Sequence, residues 1–231
     1  MAVCITLLSF TIGSAQENIL KINVGSLVLG NISLQDEYSI NQNSSIALGI
    51  SFLPKRGLPS VITNKDSTNN LVNFNMGGFS ITPEYRFYTA GHGPTGFYIA
   101  PYFRYARYST DNYPYTWTDD AGAKRNFNLS GDWTVAGIGV MIGSQWKLGD
   151  QFTFDWWIIG GAFGKNGGTY TGTGVFSSSD QDQIRQKIND VSVPTGSLKT
   201  TVDATSVKVE YSPGTPAFRG FGFCFGYVFG K

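Results

Sequence analysis

The chain has 231 residues and a formal net charge of +1, a balance that carries no electrostatic argument for nucleic acid or any other polyanion. Hydrophobic residues make up 41% and mean hydropathy is -0.10, yet no run approaches the ~20 apolar residues of a membrane helix, which excludes a helical membrane protein. The 29 Gly, 12 Tyr, 17 Phe and 5 Trp, with 14% charged residues, suit strands whose outward side chains meet lipid and whose ends carry aromatic belts.

At the start, Ala2 to Ile12 form a short apolar run, and Gly13-Ser14-Ala15 before Gln16 has the small-residue pattern of a signal-peptidase site. Residues 1–15 are therefore expected to be a signal peptide, truncated at its start because the basic n-region is missing. Residues 16–231 are expected to form one β domain. Cys4 has no lipobox before it, so Cys224 is the one cysteine of the mature chain and no internal disulfide is expected.

Alternation then marks the strands. From Leu20 to Gly30 the even positions Leu20, Ile22, Val24 and Val28 are apolar against Lys21, Asn23 and Gly25, which predicts a first strand. Gly30-Asn31 reads as a tight turn, and Ile32, Leu34, Tyr38 and Ile40 alternate with Ser33, Gln35, Glu37 and Ser39; Asp36 interrupts the apolar face. Ile46, Leu48, Ile50 and Phe52 alternate with Ala47, Gly49 and Ser51 in a third strand ended by Pro54, and Lys55 to Asn70 reads as a polar loop. Gly78 to Arg107 is a hairpin with Phe79, Ile81, Tyr85, Phe87, Phe97, Ile99, Phe103 and Tyr105 on one face and Ser80, Thr82, Glu84, Arg86, Tyr102 and Arg104 on the other. Pairing Phe87 with Phe97 would set Pro83 opposite Pro101. Ser109 to Asn128 reads as a second polar loop.

A sixth strand is predicted over Trp133 to Leu148, with Ala136, Ile138, Val140, Ile142 and Trp146 against Gly137, Gly139, Gly143, Gln145 and Lys147. A seventh sets Phe152, Phe154, Trp156 and Ile158 against Thr153, Asp155, Trp157 and Gly161. Gly164 to Pro216 is rich in Gly, Ser, Thr and Asp and reads as a long loop holding one short helix, with Ser179 and Asp182 as its capping box and Ile184 and Ile188 one turn apart. Arg219 to Phe229 closes the count, with Phe221, Phe223, Phe225, Tyr227 and Phe229 on one face and Gly222, Cys224, Gly226 and Val228 on the other.

After the first turn the connections alternate short and long, the asymmetry of an outer-membrane barrel, and an even count of strands puts both termini on the periplasmic side. Tyr38, Phe87, Phe97, Trp146, Phe152 and Phe229 flank the short turns as a girdle would. The predicted fold is an all-β, eight-stranded antiparallel up-and-down transmembrane β-barrel. GFSITPEYRFY, GFYIAPYFRY, NISLQDEYSI and the Phe/Gly-rich last strand resemble a family of small Gram-negative outer-membrane barrels of unknown function, distantly similar to OmpA- and OmpX-type barrels. The resemblance covers most of Asn18 to Lys231 and implies fold and location in the outer membrane of a Gram-negative bacterium, not an activity. Barrels of this kind commonly end on an aromatic residue, whereas Gly230 and Lys231 follow Phe229 here.

No catalytic pattern stands out. The glycines at 137, 139 and 143 lie inside a strand, where a dinucleotide loop cannot form; Gly164-Lys165 is followed by Asn166 instead of the Ser or Thr a phosphate loop requires. His92, the one histidine, falls in a short turn, so neither a metal site nor a nucleophilic triad is expected, and no cofactor. Lys21, Glu37, Glu84, Arg86, Arg104, Lys147 and Asp155 face inward and are expected to form a network of ion pairs that fills the barrel. Tyr113, Tyr115 and Trp117 form the one aromatic loop cluster that could bind a sugar or a partner, against the plainer reading that they cover the barrel mouth. The expected function is a non-enzymatic outer-membrane protein, structural or binding an envelope protein or extracellular ligand through its loops. The alternative is a conduit or binder for small hydrophobic molecules, and a soluble lipocalin-like binder would require the opposite arrangement, apolar side chains inside.

Overall fold

The computed structural model describes residues 17–57, 75–190, 196–212, 217–219 and 221–229. The expected signal peptide, the Gln16 start and most of the Lys55 to Asn70 loop lie outside the described residues. In chain order the elements are β1 (Asn18–Asn23), α1 (Val24–Val28), β2 (Ile32–Asn41), β3 (Ser44–Gly57), β4 (Asn75–Tyr88), β5 (Gly96–Thr118), β6 (Lys124–Leu148), β7 (Phe152–Thr173), α2 (Ser178–Asn189), β8 (Ser197–Val202), β9 (Ser206–Ser212), β10 (Ala217–Arg219) and β11 (Gly222–Phe229). The protein is all-β. Neighbours from β1 to β7 pair antiparallel, and β11 pairs with both β1 and β7, so eight strands form a ring.

Burial follows the two-residue period of the strands. One face of β3, β4, β5 and β11 alternates into the interior while the other stays exposed. The polarity is inverted relative to a soluble sandwich. Ile46, Leu48, Ile50, Phe52, Ile138 and Val140 are exposed, whereas Lys21, Glu37, Arg86 and Asp155 are buried. The enclosed face fits together because bulky residues of one strand stand opposite glycines of the next: Tyr98 opposite Gly143, Tyr102 opposite Gly139, Arg104 opposite Gly137, Gln35 opposite Gly49 and Lys21 opposite Gly226. A Cβ on Gly139 would lie 2.6 Å from the Tyr102 ring. Glycine therefore makes room for neighbouring side chains at this position.

Several expectations are corrected. The first strand does not reach Gly30; it stops at Asn23, whose side chain caps α1 by accepting from the Ser26 N–H at 2.9 Å. Asparagine at an N-cap satisfies the Ser26 N–H, an otherwise orphan donor of the helix's first turn, and Gly25 is a poor strand former. β3 runs past Pro54 through a register shift between Leu53 and Arg56, which accommodates the missing proline donor. The β4–β5 turn closes at Thr89, whose N–H donates to the Phe97 carbonyl at 3.0 Å, and Phe87 pairs with Ile99. The two prolines are thus offset by two positions, not opposed. In the seventh strand Ile142 pairs with Ile159 and Gly143 with Trp157, so a bulge at Ile158 reverses the alternation; Ile159 faces out, and Gly160 and Ala162 face in.

The largest correction concerns the segments Ser109 to Asn128 and Gly164 to Pro216, which are not loops over most of their described length. β5 and β6 continue pairing to Thr118 and Lys124, β7 continues to Thr173, and β9 and β8 extend the same sheet. α2 packs on it through Ile184 and Ile188, joining Trp117, Phe127, Leu129, Phe176, Val202, Val207 and Val209 in an apolar core of its own. The helix starts earlier than expected: Ser177 is the N-cap and Asp180, not Asp182, completes the capping box.

Candidate functional site

The polar interior is built where β1, β2, β4 and β7 aim their inward positions at one level of the ring. Lys21 donates to Asp155 Oδ2 at 2.7 Å and also to Glu37 Oε2 and Gln145 Oε1. The Arg86 guanidinium donates to Asp155 Oδ2 at 2.7 Å, Glu84 Oε2 at 2.9 Å, Glu37 Oε2 at 3.2 Å and Gln35 Oε1 at 2.7 Å. All these charged side chains are fully shielded. Hydroxyls complete the cage: Tyr88 donates to Glu37 Oε1 at 2.6 Å, Tyr98 to Asp155 Oδ1 at 2.7 Å, and Ser45 also to Glu37. The Tyr98 ring lies 4.5 Å from the Arg86 Cζ.

Two cations and three carboxylates meet there, leaving a formal charge of −1 that the tyrosine, serine and Trp157 N–H donors help to hold. Such density is tolerable only because each carboxylate receives several donors. Among the described residues no group of acids, histidines or cysteines could hold a metal.

Of the seven residues expected in the network, Lys21, Glu37, Glu84, Arg86 and Asp155 come together. Arg104 stands apart, donating to Thr82 Oγ1 at 3.1 Å and Tyr108 Oη at 3.3 Å. Lys147 lies at the turn end and pairs with Glu17 at 2.6 Å. Its alternation was inward, but one residue from the strand end that face is open to solvent. Gln35, Tyr88, Tyr98 and Gln145 belong to the cluster and were missed as partners, although their positions share the inward parity. His92 is an exposed turn residue, and Cys224 is buried on the enclosed face.

Tyr113, Tyr115 and Trp117 belong to β5, not to a loop. Trp117 is buried and its Nε1–H donates to Asp180 Oδ1 at 2.8 Å; Tyr115 packs beside it and only Tyr113 stays exposed. The register shift between Thr110 and Tyr113, with Asn112 at φ 57°, turns the aromatics to the side of Phe127. An extra residue in one strand is what reverses facing, and asparagine tolerates the left-handed conformation that this bulge needs.

These features define an all-β protein with an eight-strand antiparallel ring, a charged interior and an apolar exterior. The chain belongs to the family described as "Protein of unknown function (DUF3575)", whose model matches residues 1–189, up to the end of α2. No curated protein and no solved structure matches it.

Proposed function

We propose that the ring is a transmembrane β-barrel of a Gram-negative outer membrane, similar in plan to OmpA- and OmpX-type barrels, and that it is a non-enzymatic, non-conducting carrier of its sheet-and-helix extension. The carrying observation is the inverted polarity of the eight strands. On β6 the outward face is mostly apolar from Ile138 to Leu148, about ten steps of ~3.3 Å at ~40° tilt, or ~25 Å, the height of an apolar band in such barrels. Phe87, Phe97, Trp146, Phe152 and Phe229 stand exposed around the short-turn end, as a periplasmic girdle would. Beyond the band the outward face turns polar, with Arg107 paired to Asp132 at 3.1 Å, so β5, β6 and β7 leave the bilayer there and carry α2, β8 and β9 on the extracellular side. The extension then offers a surface for an envelope protein or extracellular ligand. The buried ion-pair cluster argues against an apolar conduit from end to end.

Expression in a Gram-negative host tests this reading. The protein should remain in the membrane pellet after carbonate washing and migrate faster on gels unboiled than boiled. Recovery in the soluble fraction would reject it, and protease cleavage in intact cells at Gly91 to Thr95 would invert the orientation.

A further inference from the structure

Beyond the ion-pair cluster the interior opens into a cavity of about 600 Å³, a volume suited to a small organic molecule. Among the described residues its lining holds the guanidinium of Arg104 and no carboxylate; Lys165 also borders it, but from the exposed outward face of β7. That composition contrasts with the neighbouring cluster, where acids outnumber bases. Arg104 is half-buried and, among the described residues, donates only to the neutral hydroxyls of Thr82 and Tyr108. A guanidinium carries five N–H donors, so two bonds to neutral hydroxyls leave donor capacity for a ligand. Partial removal of such a group from bulk water favours an anionic partner over neutral hydroxyls alone.

The walls supply the second half of a recognition site. Tyr102, Tyr108, Trp133 and Trp157 line the cavity, and the Tyr108 and Trp133 rings pack with centroids 6.1 Å apart. Trp133 is oriented by donating its Nε1–H to Asn166. Flat aromatic surfaces beside a lone guanidinium favour a ligand with an apolar or aromatic body and one anionic end. Glycine opposite Arg104, at Gly137, keeps this level of the interior open.

We propose that this cavity binds a small amphiphilic carboxylate, with Arg104 holding the carboxylate and the aromatic walls holding its body. The site goes beyond the barrel reading and does not depend on it, because binding is read on the purified, folded chain.

The test is calorimetric titration of the protein in nonionic detergent with 4-phenylbutyrate, the neutral 4-phenylbutyramide and inorganic phosphate. One saturable site for 4-phenylbutyrate is expected, with the amide and phosphate each bound at least tenfold more weakly. Arg104→Gln should weaken the carboxylate at least tenfold, while Arg107→Gln, at an exposed guanidinium, should bind like the parent. Ser51→Trp, which fills the cavity from β3 and leaves Arg104 in place, should also abolish binding, and it decides the matter should Arg104→Gln not fold. Absence of saturable binding by the parent overturns the proposal. Equal affinity for carboxylate and amide, phosphate bound as tightly as 4-phenylbutyrate, or undiminished binding by folded Arg104→Gln does so as well.

Discussion

Arg86 and Arg107 are both arginines in ion pairs on adjacent strands, and their surroundings give them opposite weight. Arg86 is fully shielded among Glu37, Glu84 and Asp155, whereas Arg107 pairs with Asp132 with both side chains about half exposed. Arg86→Ala would leave three carboxylates facing one lysine, and breaking a buried pair costs ~3–5 kcal/mol; at the exposed, solvent-screened Arg107–Asp132 pair, Arg107→Ala should cost far less. Urea titration of refolded protein in lipid vesicles, followed by tryptophan fluorescence, should show the midpoint fall for Arg86→Ala and barely move for Arg107→Ala. Glu84→Ala should also lower it. Equal midpoints would mean that the cluster does not stabilise the fold. Asp36 gives a change of opposite sign, since it is exposed on the outward face with Leu20 and Leu48 as its cross-strand neighbours. In the proposed barrel that face meets lipid, where a carboxylate is a liability. Asp36→Leu should therefore raise the midpoint in vesicles, and a lower midpoint would place Asp36 against protein or water instead of lipid.

Among the elements, the seam between β4 and β5 and the extension above the ring behave differently from the rest. Paired positions across β4–β5 run from Phe87–Ile99 to Glu84–Tyr102 to Ile81–Tyr105 and skip the residues between, near Pro83 and Pro101. Pairing across β5–β6 is continuous from Gly96 to Thr110. Amide exchange should accordingly be faster in the middle of the β4–β5 hairpin than along β5–β6, and uniform protection would remove the seam. In the extension, Trp117 contacts Phe127 and Phe176 with ring centroids 5.6 and 5.5 Å apart and holds Asp180 at the start of α2. Trp117→Ala should cost that unit ~3–5 kcal/mol and release α2 to proteolysis, while the ring's own unfolding midpoint stays that of the parent. Donation from the Trp117 indole, and then from Ser177, holds the Asp180 carboxyl below its ordinary value. A depressed carboxyl contributes stability above its unfolded pKa, and this is lost as pH falls through the folded value. Acidification below about pH 4 should loosen α2 in the parent and have less effect in Asp180→Asn.

At the scale of the whole molecule, the interior divides into a level filled by ion pairs and a level left open around Arg104. If the ring is the proposed barrel, its interior has room only for side chains where these are large, and the filled level blocks passage. Planar-bilayer recordings of the purified protein should show no steady conductance even when the cavity binds a ligand. A stable open channel would contradict a plugged interior.

The sequence by itself determined the strand faces, because alternation is local: Phe79, Ile81 and Phe87 against Glu84 and Arg86 are separated by a two-residue period whatever the neighbours do. It also placed Lys21, Glu37, Glu84, Arg86 and Asp155 on inward positions, and parity extended to Tyr88, Tyr98 and Gln145 would have found their partners. Tertiary structure alone decided what interrupts the period. The bulges at Asn112 and Ile158 each change which face a side chain takes, and a bulge depends on the partner strand's register. Polar composition made Ser109 to Asn128 and most of Gly164 to Pro216 read as loops, because strands surrounded by water on their outer face need no apolar alternation there. Their single apolar face emerges only when Trp117, Phe127 and Val207, far apart in the chain, meet Ile184 across the fold. The depth at which Arg104 separates from the ion pairs is likewise tertiary, since it depends on strand stagger and on the Thr82 and Tyr108 hydroxyls that happen to stand beside it.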